Sequence, residues 1–506
     1  MMEEQFICIC DEKKFIRQEV EKMREFSFNI NNEDGLKLFL KEGTAEIFGR
    51  ELPKYTIQQF QKGDRFSIFT WTGCVLYLEY MNHSDFFQST DESQYPIYAN
   101  INQYLHELRQ QAQDQRKIGP KILICGPNQS GKTTVSKTLT NYCCKLGWTP
   151  ILVDLDPMLN TVMAGGCIGA CVCKDSYPSN GIEIKNKIVF FHGYSRIQLG
   201  LLKNQIEVLG NTVQKKLQNN LEQFLIKYNL QVAPDAEGAQ QKINKQKYPS
   251  QQNIQNQATQ IKLPSSFNVN QALLLPQDKQ MFSSGCIINM PALQSREQKD
   301  VIDLIIKHFQ VDVIICLDDQ VFNSLKQNQL LTNGYSVIRT TKPSGLKTKE
   351  ESEIVDEARK INQKLFQQYF KGLNNDIDCH NQEVNLNDLL VYRLKINEKN
   401  SLASTSIQQQ KQIYERVDLS KENVTKSIVG VLNLTRSSIE KLKEEEIFEK
   451  ISKSTLNLLV HLSDMRTNQP YVRLFLPGLD MENIIKENVC VIGDITWFES
   501  SSDKKK

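Results

Sequence analysis

The chain reads as a multidomain protein: an N-terminal β-sandwich, a central α/β domain with a parallel sheet, and a C-terminal mostly β domain. Three observations carry this. Short alternating runs fill the first part, continuous apolar runs separated by helical patterns fill the middle, and β-rich runs return at the end. At 506 residues the chain is also too long for one core, since domains run to roughly 100–200 residues each.

The N-terminal β domain is assigned to residues 1–104. Phe26 to Ile30, Leu36 to Leu40 and Phe66 to Trp71 alternate, and Val75 to Leu78 follows. Runs this short, broken by Gly and Asn-Asp signals, suit a small antiparallel sandwich. Ile101, Leu105, Leu108 and Ala112 then fall at helical spacing, with Gln and Arg between them, and Gly119-Pro120 closes that helix.

The second domain is assigned to residues 105–372. An apolar run, Ile122 to Cys125, leads into a glycine loop, a helical stretch over 132–146, and Ile151 to Val153 closing on Asp154 and Asp156. Further buried-strand candidates are Ile188 to Phe191, Cys286 to Ile288 and Val313 to Cys316. Residues 234–280 are rich in Gln, Asn and Lys with almost no aromatics. Such a segment buries too little surface to offset its ordering entropy, so a disordered insertion is expected there.

The third domain, residues 373–506, holds strand candidates Val391 to Leu394, Ile428 to Leu432, Val472 to Leu476 and Val489 to Ile495. A polar tract covers Asn397 to Gln412, and the Lys504–Lys506 tail is too short for a localisation signal.

Composition narrows the function. Hydrophobic residues make up 40% and charged residues 24%, as in soluble globular proteins. With a net charge of +2, no global field draws the chain onto nucleic acid or membrane. Met1 to Glu12 lacks the basic n-region of a secretory signal, and no apolar stretch is long enough for a bilayer. The 13 cysteines are therefore read as reduced thiols. Cys167, Cys171 and Cys173, with His192 downstream, match no paired-knuckle metal spacing and are read as small core residues.

Gly126-Pro127-Asn128-Gln129-Ser130-Gly131-Lys132-Thr133 is a full Walker A pattern, so the central domain is a P-loop domain. Glycines let backbone N–H groups wrap a β-phosphate, and the following helix turns its positive end to the anion. Gly126, Gln129, Ser130, Gly131, Lys132, Thr133 and Thr134 are the candidate binding residues for ATP with Mg2+. Lys132 supplies a cation to the β/γ oxygens, and Thr133 reaches the metal. Asp154 and Asp156 end the next strand; Asp156 is favoured as metal-holding residue and, with Lys132, as catalytic residue. Asp318 and Asp319 also end a strand, where a place near the nucleotide and a helix cap are both open readings.

These residues resemble the Clp-type subunit of the pre-mRNA cleavage and polyadenylation machinery, the polyribonucleotide 5′-hydroxyl-kinase family. The resemblance starts at Gly43 to Leu52 and Phe69 to Cys74 and continues through Gly126 to Thr134, Leu139 to Leu146 and Asp154 to Asp156. It returns at Ser284 to Asn289, Val311 to Asp318 and Asp494-Ile495. It implies a β domain folded over the nucleotide, with Glu25 and Arg65 at positions that contact the adenine end of ATP. Members commonly carry Lys where Arg65 stands.

Departures from the pattern carry most information. Active members place Thr-Thr-Pro after a glycine where RNA and phosphate meet; here Gly193 is followed by Tyr194, Ser195 and Arg196. Asn289 to Leu293 lacks the Gly-Trp that stacks on an RNA base, and such stacking is worth about 1–3 kcal/mol. In place of an arginine-rich lid, Glu350 to Gly372 has Arg359 alone. Losing such an arginine costs ~10³–10⁵ in rate. The resemblance therefore implies a nuclear ATP-binding subunit of the 3′-end processing machinery, holding ATP without turnover beside another subunit of that machinery, with RNA contact weakly supported and no membrane. The alternative is an active kinase on RNA 5′-hydroxyls, in mRNA or tRNA processing, with Arg359 or Arg196 replacing the lid arginines. A generic P-loop ATPase or GTPase is a third reading, although no Asn-Lys-x-Asp base-reading motif is present.

Overall fold

A computed structural model describes residues 15–30, 35–79, 86–88, 93–176, 186–228, 280–293, 295–332, 334–341, 350–372, 380–395, 412–419, 424–465, 471–477 and 481–498. The expected insertion at 234–280 lies outside these apart from Gln280, as do the Met1 to Glu12 stretch, most of the polar tract and the lysine tail.

The first domain is a sandwich of two sheets. One has the order β1 (Phe15–Val20), β8 (Cys74–Glu79), β3 (Leu36–Gly43), β6 (Gln58–Phe60); the other runs β5 (Arg50–Glu51), β4 (Glu46–Ile47), β7 (Arg65–Phe69), β2 (Glu25–Asn29), β9 (Phe86–Gln88). Phe26, Phe28, Leu38, Leu40, Phe66, Ile68, Leu76 and Leu78 meet between them, with Phe60 stacked on Phe66 at 4.0 Å. Alternation puts these apolar residues on the inner faces.

The helix that follows, α1 (Tyr95–Asp114), begins earlier than the apolar spacing suggests, with proline in its first turn. Proline is tolerated there because the first N–H groups have no partner within the helix. The helix runs through residues 104–105, where the sequence places the seam between the first two domains. Arg109, which reads as a polar-face residue, is fully buried and donates from Nε to Ser284 O at 3.1 Å.

The central sheet has the order β13 (Lys187–Phe191), β12 (Cys167–Val172), β11 (Ile151–Asp154), β14 (Cys286–Asn289), β10 (Lys121–Cys125), β15 (Val313–Cys316), β16 (Ser336–Arg339). From β11 to β16 every pairing is parallel. Every residue of β10, β11, β14 and β15 is buried, which is why these strands read as unbroken apolar runs. Ile122, Ile124, Leu152 and Ile287 face α1 and α2 (Lys132–Lys145). Leu123, Val153, Ile288 and Ile314 face α3 (Leu199–Lys227), α4 (Ser295–Phe309) and α5 (Asp319–Thr332).

The sheet is not parallel throughout. β12 lies antiparallel to β11 and to β13. No helix connects β11 to β12, and without a crossover the chain returns alongside in the opposite direction. Cys167 and Cys171 lie on this unexpected strand, Cys173 follows it, and all are buried. Among the described residues no cluster of His, Cys, Asp or Glu suits a metal ion. The 29-residue α3 was also not expected. Its buried stripe, Leu202, Ile206, Leu209, Val213 and Leu217, is masked in the sequence by Asn, Gln and Lys on its outer faces.

The third domain is one sheet of order β17 (His380–Asn385), β22 (Tyr471–Leu476), β21 (Leu456–Met465), β20 (Ser427–Thr435), β23 (Asn488–Thr496), β18 (Leu390–Leu394), β19 (Tyr414–Arg416). Among the described residues no helix is long and apolar enough to cross a membrane.

The first domain docks on the flank of α2. Glu46, only 2% exposed, accepts a hydrogen bond from Tyr142 Oη and pairs with Lys145 Nζ at 2.8 Å. Asn141 Nδ2 donates to Phe48 O at 2.7 Å. Gly49 has positive φ, and a Cβ there would sit 3.1 Å from Thr138 O, so the hairpin lies flat on the helix. Replacing Glu46 by Ala leaves the buried Tyr142 phenol without its acceptor and takes one of two carboxylates from Lys145, which keeps Glu51 at 3.1 Å. The expected loss is about 1–3 kcal/mol, read as a lower urea midpoint for the first two domains; an unchanged midpoint contradicts this docking.

Candidate nucleotide site

β10 delivers the chain into the middle of the sheet, between β14 and β15, and releases it as the phosphate loop. A Cβ on Gly126 would lie 2.7 Å from Ser130 Oγ and 2.9 Å from Leu317 Cβ, so the turn admits no side chain. Gly131 takes φ +87 at the start of α2, which has no side-chain cap. Its first N–H groups therefore face the loop. Ser130 is buried and Thr134 half-buried beside them, and Gln129 holds φ +56. Ser130 Oγ and Lys132 Nζ both donate to Pro127 O, at 2.9 and 2.7 Å. Burial depresses the Lys132 pKa, and among nearby charges Asp156 opposes this most.

The acidic pair divides its work. Asp154 is fully buried and saturated. Its Oδ2 accepts from Thr161 N at 2.8 Å and Thr161 Oγ1 at 2.7 Å; its Oδ1 accepts from Asn289 Nδ2 at 3.0 Å and Asp156 N at 3.1 Å. Burial, with the charge of Asp156, pushes its pKa up to about 6. Asp156 spends one oxygen on Met158 N at 2.9 Å. Its pKa is raised by burial, with Lys132 opposing. The structure thus brings Lys132 and Asp156 together, while Asp154 braces the 156–161 loop. Asp318 accepts from Val321 N at 2.9 Å and caps α5, and Asp319 pairs with Arg339 at 2.7 Å. The geometry carries the capping reading for Asp318, while Asp319 spends its carboxylate on Arg339.

Glu25 and Arg65 stand apart. Glu25 pairs in register with Phe69 and Asn29 with Arg65, at opposite ends of the β2–β7 ladder. Glu25 is buried, accepts from Ser93 Oγ at 2.6 Å, and adds to the burial that raises the Tyr95 and Tyr98 hydroxyls. Arg65 Nε donates to Asn29 Oδ1 at 2.8 Å, and its guanidinium pairs with Glu357.

Glu357 belongs to α6 (Glu351–Lys371), the helix in the lid position. This helix is tied on three sides. Lys364 pairs with Asp64 of the first domain. Asn362 donates to Met158 O and accepts from Gly165 N of the central domain, both at 2.9 Å. Gln363 exchanges hydrogen bonds with Thr496 O and Phe498 N of the third domain, both at 2.9 Å, and Phe370 stacks on Trp497 at 5.2 Å. Arg359 is 64% exposed and turned to Asp356 of its own helix. Arg196 is exposed too.

The sequence reading missed Asn289, Thr161, Asn362 and Gln363 as parts of the site. Asn289 closes the Ser284 to Asn289 stretch of family resemblance, a signal that was available; the others carry none.

Two family models match the chain. One, the N-terminal beta-sandwich domain of polyadenylation factor, covers residues 19–112. The other, the mRNA cleavage and polyadenylation factor CLP1 P-loop, covers 126–226 and 239–372. A protein CLP1 homolog of Arabidopsis thaliana is 29% identical over 215 residues, 40% of this chain and 48% of that protein. The polyribonucleotide 5′-hydroxyl-kinase Clp1 of Homo sapiens is 30% identical over 184 residues, 36% and 43%. The chain thus spans about half the length of these curated relatives, 48% and 43%. A solved Clp1p–Pcf11p complex superposes with a TM-score of 0.71 at 17% identity, covering 96% of this chain and 99% of that one, which shows a shared fold.

His192 leads into the 193–196 loop and offers a pH test. Its Nε2 accepts from Gln198 N at 3.0 Å, so Nδ1 holds the hydrogen and donates to Gln205 Oε1 at 3.0 Å. Burial lowers its pKa to about 4 from the ordinary 6.5. Between those values the unfolded chain binds more protons, so this contribution to stability is complete above the unfolded pKa and fades as pH falls toward the folded one. The stability difference between the native chain and a His192→Gln variant is expected to shrink over that window in urea titrations. A difference independent of pH there contradicts the neutral buried ring.

Proposed function

The chain belongs to the Clp1 family of polyadenylation factors, and from that premise we propose that it is a nuclear ATP-binding subunit of the mRNA 3′-end processing machinery that holds ATP without turning it over. The observation that carries this is a complete phosphate cradle together with a lid-position helix whose one arginine is exposed and paired with Asp356 of the same helix. Gly126, Gln129, Ser130, Gly131, Lys132, Thr133 and Thr134 take the triphosphate, with Glu25 or Arg65, which lie at opposite ends of the β2–β7 ladder, serving its adenine end.

The donor set fits a divalent cation. Thr133 and Asp156 would hold Mg2+, which neutralises charge between the β- and γ-phosphates. Lys132 positions the γ-phosphate and Asp156 lies beside it. Phosphoryl transfer further needs cations on the departing group, at ~10³–10⁵ in rate for an arginine. Arg359 is exposed and meets Asp356 of its own helix, and Lys364 pairs with Asp64 of the first domain. The solved relative is a complex of Clp1p with Pcf11p, and a cleavage-factor subunit of that kind is the proposed partner here, with no role for a membrane.

A second reading keeps 5′-hydroxyl kinase activity on RNA, and Asp156 favours it: a carboxylate with a raised pKa beside Lys132 is a suitable base for an incoming hydroxyl. Incubation with γ-labelled ATP and a 5′-hydroxyl RNA oligonucleotide separates the two. The proposal expects no label on RNA above a Lys132→Ala control; robust transfer that this substitution abolishes selects the kinase.

A further inference from the structure

We infer that Asn289 is a positioning residue for the divalent cation of the phosphate site, its side-chain oxygen accepting a hydrogen bond from a water carried on that ion. The inference deepens the metal–ATP reading and rests on it.

Asn289 ends β14, in register with Ile124 on one side and Asp154 on the other. It therefore lies between the strand that feeds the phosphate loop and the strand that delivers the acidic pair. It is 1% exposed. Its Nδ2 donates to Asp154 Oδ1 at 3.0 Å and lies 3.4 Å from Thr133 Oγ1. A carboxylate accepts only, so the amide face toward Asp154 must be the NH2, and the orientation of the group follows from chemistry.

The consequence is that Oδ1 is left over. It is buried and, among the described residues, has no hydrogen-bond partner. An orphaned buried acceptor costs about 1–3 kcal/mol unless something satisfies it. The immediate neighbours cannot: Asp154 offers acceptors alone, and its own partners, Thr161 and the Asp156 N–H, are already spent on it. The group that Asn289 also approaches is Thr133 Oγ1, the hydroxyl that a P-loop presents to its metal. A hydrated divalent cation there brings polarised O–H donors, which is what the spare oxygen lacks. Outer-shell groups of this kind orient metal-bound ligands, and removing them typically lowers metal affinity by about 10–100-fold.

The test uses the full chain with ATP and Mn2+ as the probe. Mn2+ affinity of the ATP complex is read by electron paramagnetic resonance, and ATP affinity in EDTA is measured in parallel. Asn289→Leu keeps volume without polarity, and Asn289→Ser is a second variant should leucine impair folding. Thr161→Val is the comparison, since it takes the hydroxyl hydrogen bond from Asp154 Oδ2 and leaves Asn289 and its own bond to Asp154 Oδ1 in place. Both Asn289 variants are expected to bind Mn2+ about 10–100-fold more weakly, with metal-free ATP binding unchanged and a clearly smaller loss in Thr161→Val. Unaltered Mn2+ affinity in the Asn289 variants, or an equal loss in Thr161→Val, overturns the inference and leaves the ATP reading standing. A native chain that binds no ATP at all overturns both.

Discussion

One rigid helix, α2, carries three duties, and the rest of the structure depends on that arrangement. Its first turn leaves N–H groups open toward the phosphate loop. Its inner face lies on the central sheet through Val135 and Leu139. Its outer flank holds the first domain through Asn141, Tyr142 and Lys145. An anion gripped at one end is therefore linked through a stiff rod to the docking of a neighbouring domain. By linkage, whatever binds the docked arrangement preferentially also stabilises it.

The opposite wall follows another logic. A lid that must open and close is drawn from weakly held elements. Helix α6 is instead fastened to all three domains, by Lys364 and Glu357, by Asn362, and by Gln363 and Phe370. Two of its charges, Glu357 and Lys364, pair across a seam with the first domain. The first domain contributes the opposite charges, Asp64 and Arg65, from adjacent positions at the start of β7. A seam of this kind suits a nucleotide that stays and serves as part of the architecture.

Much of this is legible in the residues. The phosphate loop announces itself because only glycine tolerates the contact at 126 and the positive φ at 131. The parallel strands are legible because burial on both faces leaves unbroken apolar runs. β12 is not, since Cys-Ile-Gly-Ala-Cys-Val lacks the large β-branched signature of its neighbours. Helix α3 hides behind Asn, Gln and Lys, and Arg109 behind its charge. The site networks are the least legible, because Asn289, Thr161 and Asn362 are ordinary polar residues until the fold places them against Asp154 and Met158. Arg65 shows the converse: its charge was evident, and its engagement with Glu357 depends on a helix far along the chain.

The central claim is that this cradle keeps an intact triphosphate. The most direct test is to denature the freshly purified chain and identify the released nucleotide by mass spectrometry and chromatography. The account predicts ATP in near-equal amount to protein, with little ADP. A protein that releases no nucleotide, or releases chiefly ADP, contradicts it.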